Sequence, residues 1–331
     1  MATGKLLRQL IKSGMEGNAD AFRAASEEVI KEERQKQHHL LANDLERLLY
    51  GRTRSHTPSV GRPLEKPPVD RERNVALLQL REPVRRLDDL VLSEETRGAL
   101  EELLREHHHQ ERLASYGLRA ADRLLFYGPP GCGKTLTAEV LASELGLPLA
   151  IVRIDAVVSS YLGETAANLR KVFDFAASNS TVVLLDEFDA LGKERADEAE
   201  HGELRRVVNA VLQMMDAYTG RSVLIAATNH ESMLDSAIWR RFEEVLVFEP
   251  PNTEQLHRLL TLKLSGVRRD FDIEDAIETT LFKGMTHADV ERVLRRAVKE
   301  MVLAANEFVT LRHLEHAARR ESARHARHRS V

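Results

Sequence analysis

Eight consecutive residues, Gly128-Pro129-Pro130-Gly131-Cys132-Gly133-Lys134-Thr135, place a lysine and a threonine directly after a glycine-rich turn, between an apolar run and an amphipathic one. Glycines let backbone N–H groups turn inward around phosphate oxygens, and a helix starting there adds the positive end of its dipole. Lys134 would neutralise phosphate charge, Thr135 would ligate Mg²⁺, and Leu136 continues the nucleotide-binding stretch into the helix. An ordinary Gly/Pro turn does not explain why lysine and threonine follow the last glycine.

A second group stands at the end of Val182-Val183-Leu184-Leu185-Asp186-Glu187. An apolar strand ending there pushes two adjacent carboxylates out of its C-terminal end, where ligands gather in open α/β sheets. Asp186 would hold Mg²⁺ through water, and Glu187 would polarise an attacking water. By itself such a strand end reads as a solvated turn; downstream of a phosphate loop it reads as chemistry.

These residues need a scaffold, and the chain supplies its pattern. Short apolar runs at Leu124 to Tyr127, Leu149 to Ile154, Val182 to Asp186, Val223 to Thr228 and Val245 to Phe248 alternate with amphipathic stretches, which predicts an α/β fold with a parallel sheet sandwiched by helices. After Pro250-Pro251 the strand signals stop. Glu254 to Leu264, Ile273 to Thr280, His287 to Ala304 and Leu311 to Arg320 read as the helices of a separate lid domain.

Before the sheet, apolar residues at helical spacing (Leu6, Leu7, Leu10, Ile11, then Phe22, Ala25, Val29, then Leu41, Leu45, Leu48, Leu49) predict a small helical module. Four prolines and two glycines between Gly51 and Glu72, without apolar periodicity, read as a linker. The expected organisation is a helical partner or oligomerisation domain over 1–50, a linker over 51–74, a large α/β domain over 75–250 and a helical lid with a basic tail over 251–331.

Composition narrows the class further. The balance of 48 basic and 52 acidic residues argues against a nucleic-acid footprint across the whole protein. The absence of a long apolar run excludes a membrane span by helix and, with an N-terminus lacking a secretion signal, points to the cytoplasm. The single cysteine, Cys132, can form no internal disulfide. His107-His108-His109 reads as part of a solvated helix rather than a metal site.

From about Leu87 to Arg320 the chain resembles the AAA ATPase family, and further motifs follow in the family's order. Tyr161-Leu162-Gly163-Glu164 looks like the first pore loop, in which Tyr161 and Leu162 would grip an extended polypeptide. The polar stretch Glu194 to Arg206, with His201-Gly202-Glu203, resembles a second pore loop. Ala227-Thr228-Asn229 looks like the end of the sensor strand, where Asn229 would bond the attacking water or the γ-phosphate. Leu234 to Phe242 resembles the arginine-finger segment, in which Arg240 and Arg241 would reach the nucleotide of a neighbouring subunit. The resemblance implies ATP and Mg²⁺ as ligands and a homo-oligomer, a hexamer, as the working state.

The chain also departs from the family. Arg240-Arg241-Phe242-Glu243 stands where Gly-Arg-Phe-Asp is common, His287 replaces a glycine at the opening of a lid helix, and no arginine takes the second sensor position. Leu90, Val91, Tyr116 and Gly117 sit where the family packs the base. A short helical N-domain before one ATPase module looks like small bacterial AAA proteins that work with a separately encoded subtilisin-like protease in defence or toxin–antitoxin modules. Remodelling of a polypeptide is therefore the leading expectation. A nucleic-acid motor, suggested by six arginines and four histidines from Arg312 to Val331, and a nucleotide-gated scaffold are the less favoured readings.

Overall fold

The chain divides into two compact units, Met1–Pro63 and Leu64–Val331. The computed structural model describes residues 12–13, 19–35, 64–70, 73–158, 162–188, 210–229 and 239–329. In the first unit, helix α1 (Ala19–Gln35) buries Ala25, Val29 and Ile30 along one stripe, as their spacing of four and five dictates, and leaves Phe22 exposed. The helices expected around Leu6 to Ile11 and Leu41 to Leu49 lie outside the described residues.

The second unit is built on one sheet. Strands β1 (Leu78–Arg81), β2 (Arg123–Tyr127), β3 (Leu149–Val152), β4 (Val182–Leu185), β5 (Val223–Thr228) and β6 (Glu244–Val247) lie in the order β1-β3-β4-β5-β2-β6. The five strands from β2 to β6 are parallel, and their runs are those visible in the sequence. The sheet gains a sixth strand at one edge that the pattern does not show, where β1 pairs antiparallel with β3, Leu78 opposite Val152. Leu78-Gln79-Leu80-Arg81 covers an edge and carries polar side chains, so it lacks the continuous apolar run of a strand buried on both faces.

Each inner strand feeds two cores by alternation. Leu125, Val183, Leu185, Leu224 and Ala226 face one core with Phe173, Phe175 and Met215. Leu124, Phe126, Val182, Leu184, Val223 and Ile225 face the other, with Leu100, Leu103, Val140 and Leu141 from helices α2 (Glu94–His108) and α4 (Lys134–Leu145). A fully buried leucine in such a core contributes about 1.5–3 kcal/mol. Short helices α3 (Gln110–Ser115) and α5 (Ile154–Val157) fill turns, and α6 (Leu162–Ser178) crosses back to β4. The triple histidine ends α2: His107 Nε2 lies 2.8 Å from the Ala121 carbonyl, and His108 and His109 are exposed.

Four more helices, α7 (Thr253–Lys263), α8 (Ile273–Glu278), α9 (His287–Leu303) and α10 (Leu311–Arg329), enclose a third core around Leu260, Val290, Val293, Leu314 and Ala317. Helix α10 runs nine residues past the expected end at Arg320. One of its two acidic residues has an internal use: Glu321, fully buried, takes Arg292 at 2.9 Å and Arg296 at 3.5 Å from α9, and Arg324 of its own helix at 3.4 Å. The basic tail is thus helix whose charges are partly paired within the fold. No helix among the described residues is long and apolar enough to cross a membrane.

Candidate functional site

The glycine-rich loop joins β2 to α4, and two neighbours set its shape. Gly128 has φ +142°, and a Cβ there would stand 1.9 Å from the Phe248 carbonyl oxygen, so the backbone after β6 passes where only glycine leaves room. Gly131 has φ +81°, and a Cβ there would meet Thr286 Oγ1 at 2.9 Å. Its carbonyl accepts from the Ala288 N–H at 3.0 Å, which docks the loop on the first turn of α9. Gly133, at φ +103°, is the N-cap of α4 and lets the helix open directly behind the loop.

Lys134 is buried, and its ammonium is held from three sides. Nζ donates to the Gly128 carbonyl at 2.6 Å, the Pro129 carbonyl at 2.9 Å and Asn229 Oδ1 at 2.8 Å. Residues far apart in sequence, on the loop and at the end of β5, thereby meet at one positive charge. Thr135 Oγ1 donates to Asp186 Oδ2 at 2.6 Å, so a hydroxyl and a carboxylate oxygen converge as the hard donors a magnesium ion takes. Glu187 follows with φ +52°, a left-handed conformation uncommon for a non-glycine residue, and its N–H donates to Asp186 Oδ1 at 2.9 Å. The Phe188 N–H, bonded to the Ala227 carbonyl at 2.8 Å, ties the turn back to β5.

These groups line a cleft of about 390 Å³. From the loop, including Pro130, Gly131, Cys132, Gly133, Lys134, Thr135 and Leu136, it passes Asp186, Glu187 and Asn229 and ends against Leu90, Val91, Leu92, Leu259 and His287. Such a cleft could take an extended polyphosphate at one end and a flat apolar group at the other. Cys132 lines it yet is 2% exposed; burial pushes its thiol pKa up against the lowering charge of Lys134, which makes it a poor target for alkylation at neutral pH.

The apolar end differs from the base slot that the sequence suggested. Leu90 and Val91 line it, but Tyr116 is 76% exposed and neither it nor Gly117 belongs to the lining. Their place is taken by Leu92, Leu259 and His287, which come from three separate segments. Of these three, only His287 carries a signal in the sequence, the interrupted family pattern at the opening of a lid helix. Burial depresses the His287 pKa, partly offset by the Val91 carbonyl beside it, which favours the neutral ring.

Arg240 and Arg241 do not line this cleft. Arg240 is exposed, and Arg241 Nε donates to Asp216 Oδ2 at 2.8 Å. Trp239, just before them, meets Tyr127 edge to face at 5.2 Å, which links the segment to the strand that enters the loop. Leu162 opens α6, so Leu162-Gly163-Glu164 forms the first turn of a helix; a Cβ added at Gly163 would have nothing within 4 Å, so no steric demand calls for glycine there. Tyr161, the side chain of Leu162, Glu194 to Arg206 and Leu234 to Ile238 lie outside the described residues.

The first turn of α9 is itself secured from behind. Thr286 caps it in a reciprocal pair with Asp289. Asp289 also binds Arg292, and His325 Nε2 lies 2.9 Å from its Oδ1. Burial raises the Asp289 pKa, but the Thr286 N–H and hydroxyl and the His325 contact outweigh it and hold the carboxyl below its usual range.

Comparison with known proteins agrees with this geometry. Residues 124–250 match the model of the ATPase family associated with various cellular activities (AAA). The chain is 41% identical over 329 residues to the uncharacterized AAA family ATPase y4kL of Sinorhizobium fredii, covering 98% of this chain and 97% of that protein. It is 30% identical over 235 residues to a putative 26S proteasome regulatory subunit homolog of Methanothermobacter marburgensis, across 70% of this chain and 62% of that one. It is likewise 30% identical over 238 residues to the ATP-dependent zinc metalloprotease FtsH 2 of Symbiobacterium thermophilum, across 69% of this chain but only 40% of the relative. A near full-length match at that identity, with a phosphate-loop cleft on a mostly parallel sheet, makes this chain a member of the AAA family of ATPases, and hydrolysis of ATP is its reaction.

Proposed function

We propose that the chain works as a ring of identical subunits, a hexamer, that couples ATP turnover to the remodelling of a polypeptide. The observation that carries this is the position of the paired arginines. Arg240 and Arg241 stand outside the chain's own cleft, and Arg240 is exposed to solvent in the segment after the sensor strand. A cation delivered to the cleft from a neighbour would complete the site, as an arginine finger does, and such a group is worth about 10³–10⁵ in rate in the phosphoryl-transfer enzymes where it has been removed.

Within one subunit, the loop from Gly128 to Gly133 with the start of α4 binds the phosphates, and Lys134 exchanges its carbonyl partners for phosphate oxygens. Asn229, already bonded to Lys134, orients the γ-phosphate or the attacking water. Glu187, aimed by its left-handed backbone, accepts a proton from that water as it attacks the γ-phosphorus, and the bond to the β-γ bridging oxygen breaks to leave ADP and phosphate. Thr135 and Asp186 would hold Mg²⁺, which when bound neutralises charge on the phosphates.

Tyr161 and Leu162 are proposed to grip the polypeptide in the pore. A partner with proteolytic activity fits the relatives whose names carry proteasome regulation and metalloprotease, and we assign a separately encoded protease of subtilisin type, in a defence or toxin–antitoxin setting, as that partner. A nucleic-acid load is less favoured because Arg324 and His325 of the basic helix are bonded to Glu321 and Asp289. The cytoplasm is the proposed location. Ahead of a linker over 51–74, the helical 1–50 region would recruit the partner, and the helices after 251 would act as the lid.

ATP turnover measured across protein concentration, with ring size followed by light scattering, tests the ring. Specific activity should rise as subunits assemble, Glu187→Gln should bind nucleotide yet lose at least about a hundredfold in turnover, and Arg240→Ala or Arg241→Ala should lose a comparable amount. Full activity in the monomer with silent arginine variants would end the shared-site reading.

A further inference from the structure

Past the phosphate loop the cleft runs between the segment 89–92, α7 and the first turns of α9, where Leu90, Val91, Leu92 and Leu259 form an aliphatic stretch of wall beside the charged Asp89, Lys263 and Glu291. One uncharged polar group stands among them. His287, the first residue of α9, lines the same end, and both of its ring nitrogens are shielded from solvent without a hydrogen-bond partner. The Val91 carbonyl stands beside the ring but outside hydrogen-bond geometry. A neutral imidazole carries one N–H donor and one lone pair, and burying both unpaired is costly where an apolar residue of similar shape would fill the space freely. An aliphatic stretch of wall with an unsatisfied donor and acceptor set into it has the chemistry of a socket for a planar heteroaromatic ring.

We propose that His287 is a base-contacting residue of the nucleotide site: with ATP in the cleft, its imidazole hydrogen-bonds the edge of the adenine. The next residue, Ala288, already bonds the phosphate loop through the Gly131 carbonyl at 3.0 Å, so residues 287 and 288 read the base and the phosphate cradle from one helix turn. Occupancy of the base is thereby transmitted to α9, whose far side is held by the Asp289, Arg292 and Glu321 cluster. Because a neutral ring can adopt either tautomer, His287 supplies affinity rather than a choice between purines.

The inference rests on the reading that nucleotide occupies this cleft, and calorimetric titration of the full chain separates the two. ATP and inorganic tripolyphosphate are titrated into wild type, His287→Ala and His287→Gln. We expect the alanine variant to bind ATP about tenfold more weakly with tripolyphosphate unchanged within about twofold, and the glutamine variant, which keeps a donor and an acceptor, to recover most of the loss. Unchanged ATP affinity, or equal weakening of both ligands, would overturn the base contact and leave His287 a packing residue. Failure of the wild type to bind ATP would remove the nucleotide reading itself. Should His287→Ala not fold, His287→Leu, which keeps the volume, takes the same titrations, and the same two results decide for or against the contact.

Discussion

Replacing the three glycines of the phosphate loop one at a time by alanine should not give three similar losses of stability, although each has a positive φ. Gly133 at φ +103° has nothing within 4 Å of an added Cβ, so Gly133→Ala meets only the backbone strain of an L-residue in that region, about 1–2 kcal/mol. Gly128→Ala meets comparable strain and also puts a methyl 1.9 Å from the Phe248 carbonyl oxygen. That oxygen is on backbone, and the same residue's N–H is bonded to Tyr127 at 2.8 Å, so relief requires parting the ends of β2 and β6. Overpacking of this kind adds about 1–3 kcal/mol, for a total of about 2–5 kcal/mol. At about 3 °C per kcal/mol for a domain of this size, Gly128→Ala should melt about 6–15 °C below wild type and Gly133→Ala about 3–6 °C below. Gly131→Ala should fall between them, because the atoms it meets are the side chains of Thr286 and Ala288. Circular dichroism melts of the nucleotide-free protein measure this directly. A Gly128→Ala variant as stable as Gly133→Ala would refute the claim that strand packing, and not phosphate binding alone, demands glycine at 128.

Two further outcomes follow from buried polar groups. Tyr218, whose hydroxyl lies 3.1 Å from the Ala176 carbonyl and accepts the Ser222 N–H at 2.8 Å, should lose about 1–3 kcal/mol as Tyr218→Phe in urea unfolding. Since burial pushes its hydroxyl pKa up to about 12, that loss should be the same at pH 7 and pH 9. Asp289→Asn should cost about 1–3 kcal/mol at neutral pH, read from the same transitions. The folded carboxyl has a pKa below its unfolded value, so its stabilisation is complete above about pH 4 and is lost as pH falls through the folded value; the gap between wild type and Asp289→Asn should close in that acidic window and stay constant above it. A gap that widens on acidification would contradict the assigned direction.

Much of the site could be read along the chain because its parts are local. The loop Gly128 to Thr135 and the strand end Asp186-Glu187 are short runs in which residue type and spacing alone specify the backbone, and the five parallel strands announce themselves because burial on both faces demands continuous apolar runs. What sequence could not supply were the meetings between distant segments. The Asn229 contact to Lys134, the Phe248 carbonyl that excludes a side chain at 128, the presence of Leu92, Leu259 and His287 rather than Tyr116 at the apolar end of the cleft, and the burial of Glu321 against Arg292 and Arg296 of a neighbouring helix all depend on how elements pack. Edge strand β1 escaped notice for a related reason: half of its residues face solvent, and only pairing with β3 makes it a strand. Local sequence determined the chemistry this protein can carry, because a phosphate loop is set by a few adjacent dihedrals. Tertiary structure decided which side chains line the cleft and which charges stay outside it, because those follow from contacts between segments that no spacing along the chain encodes.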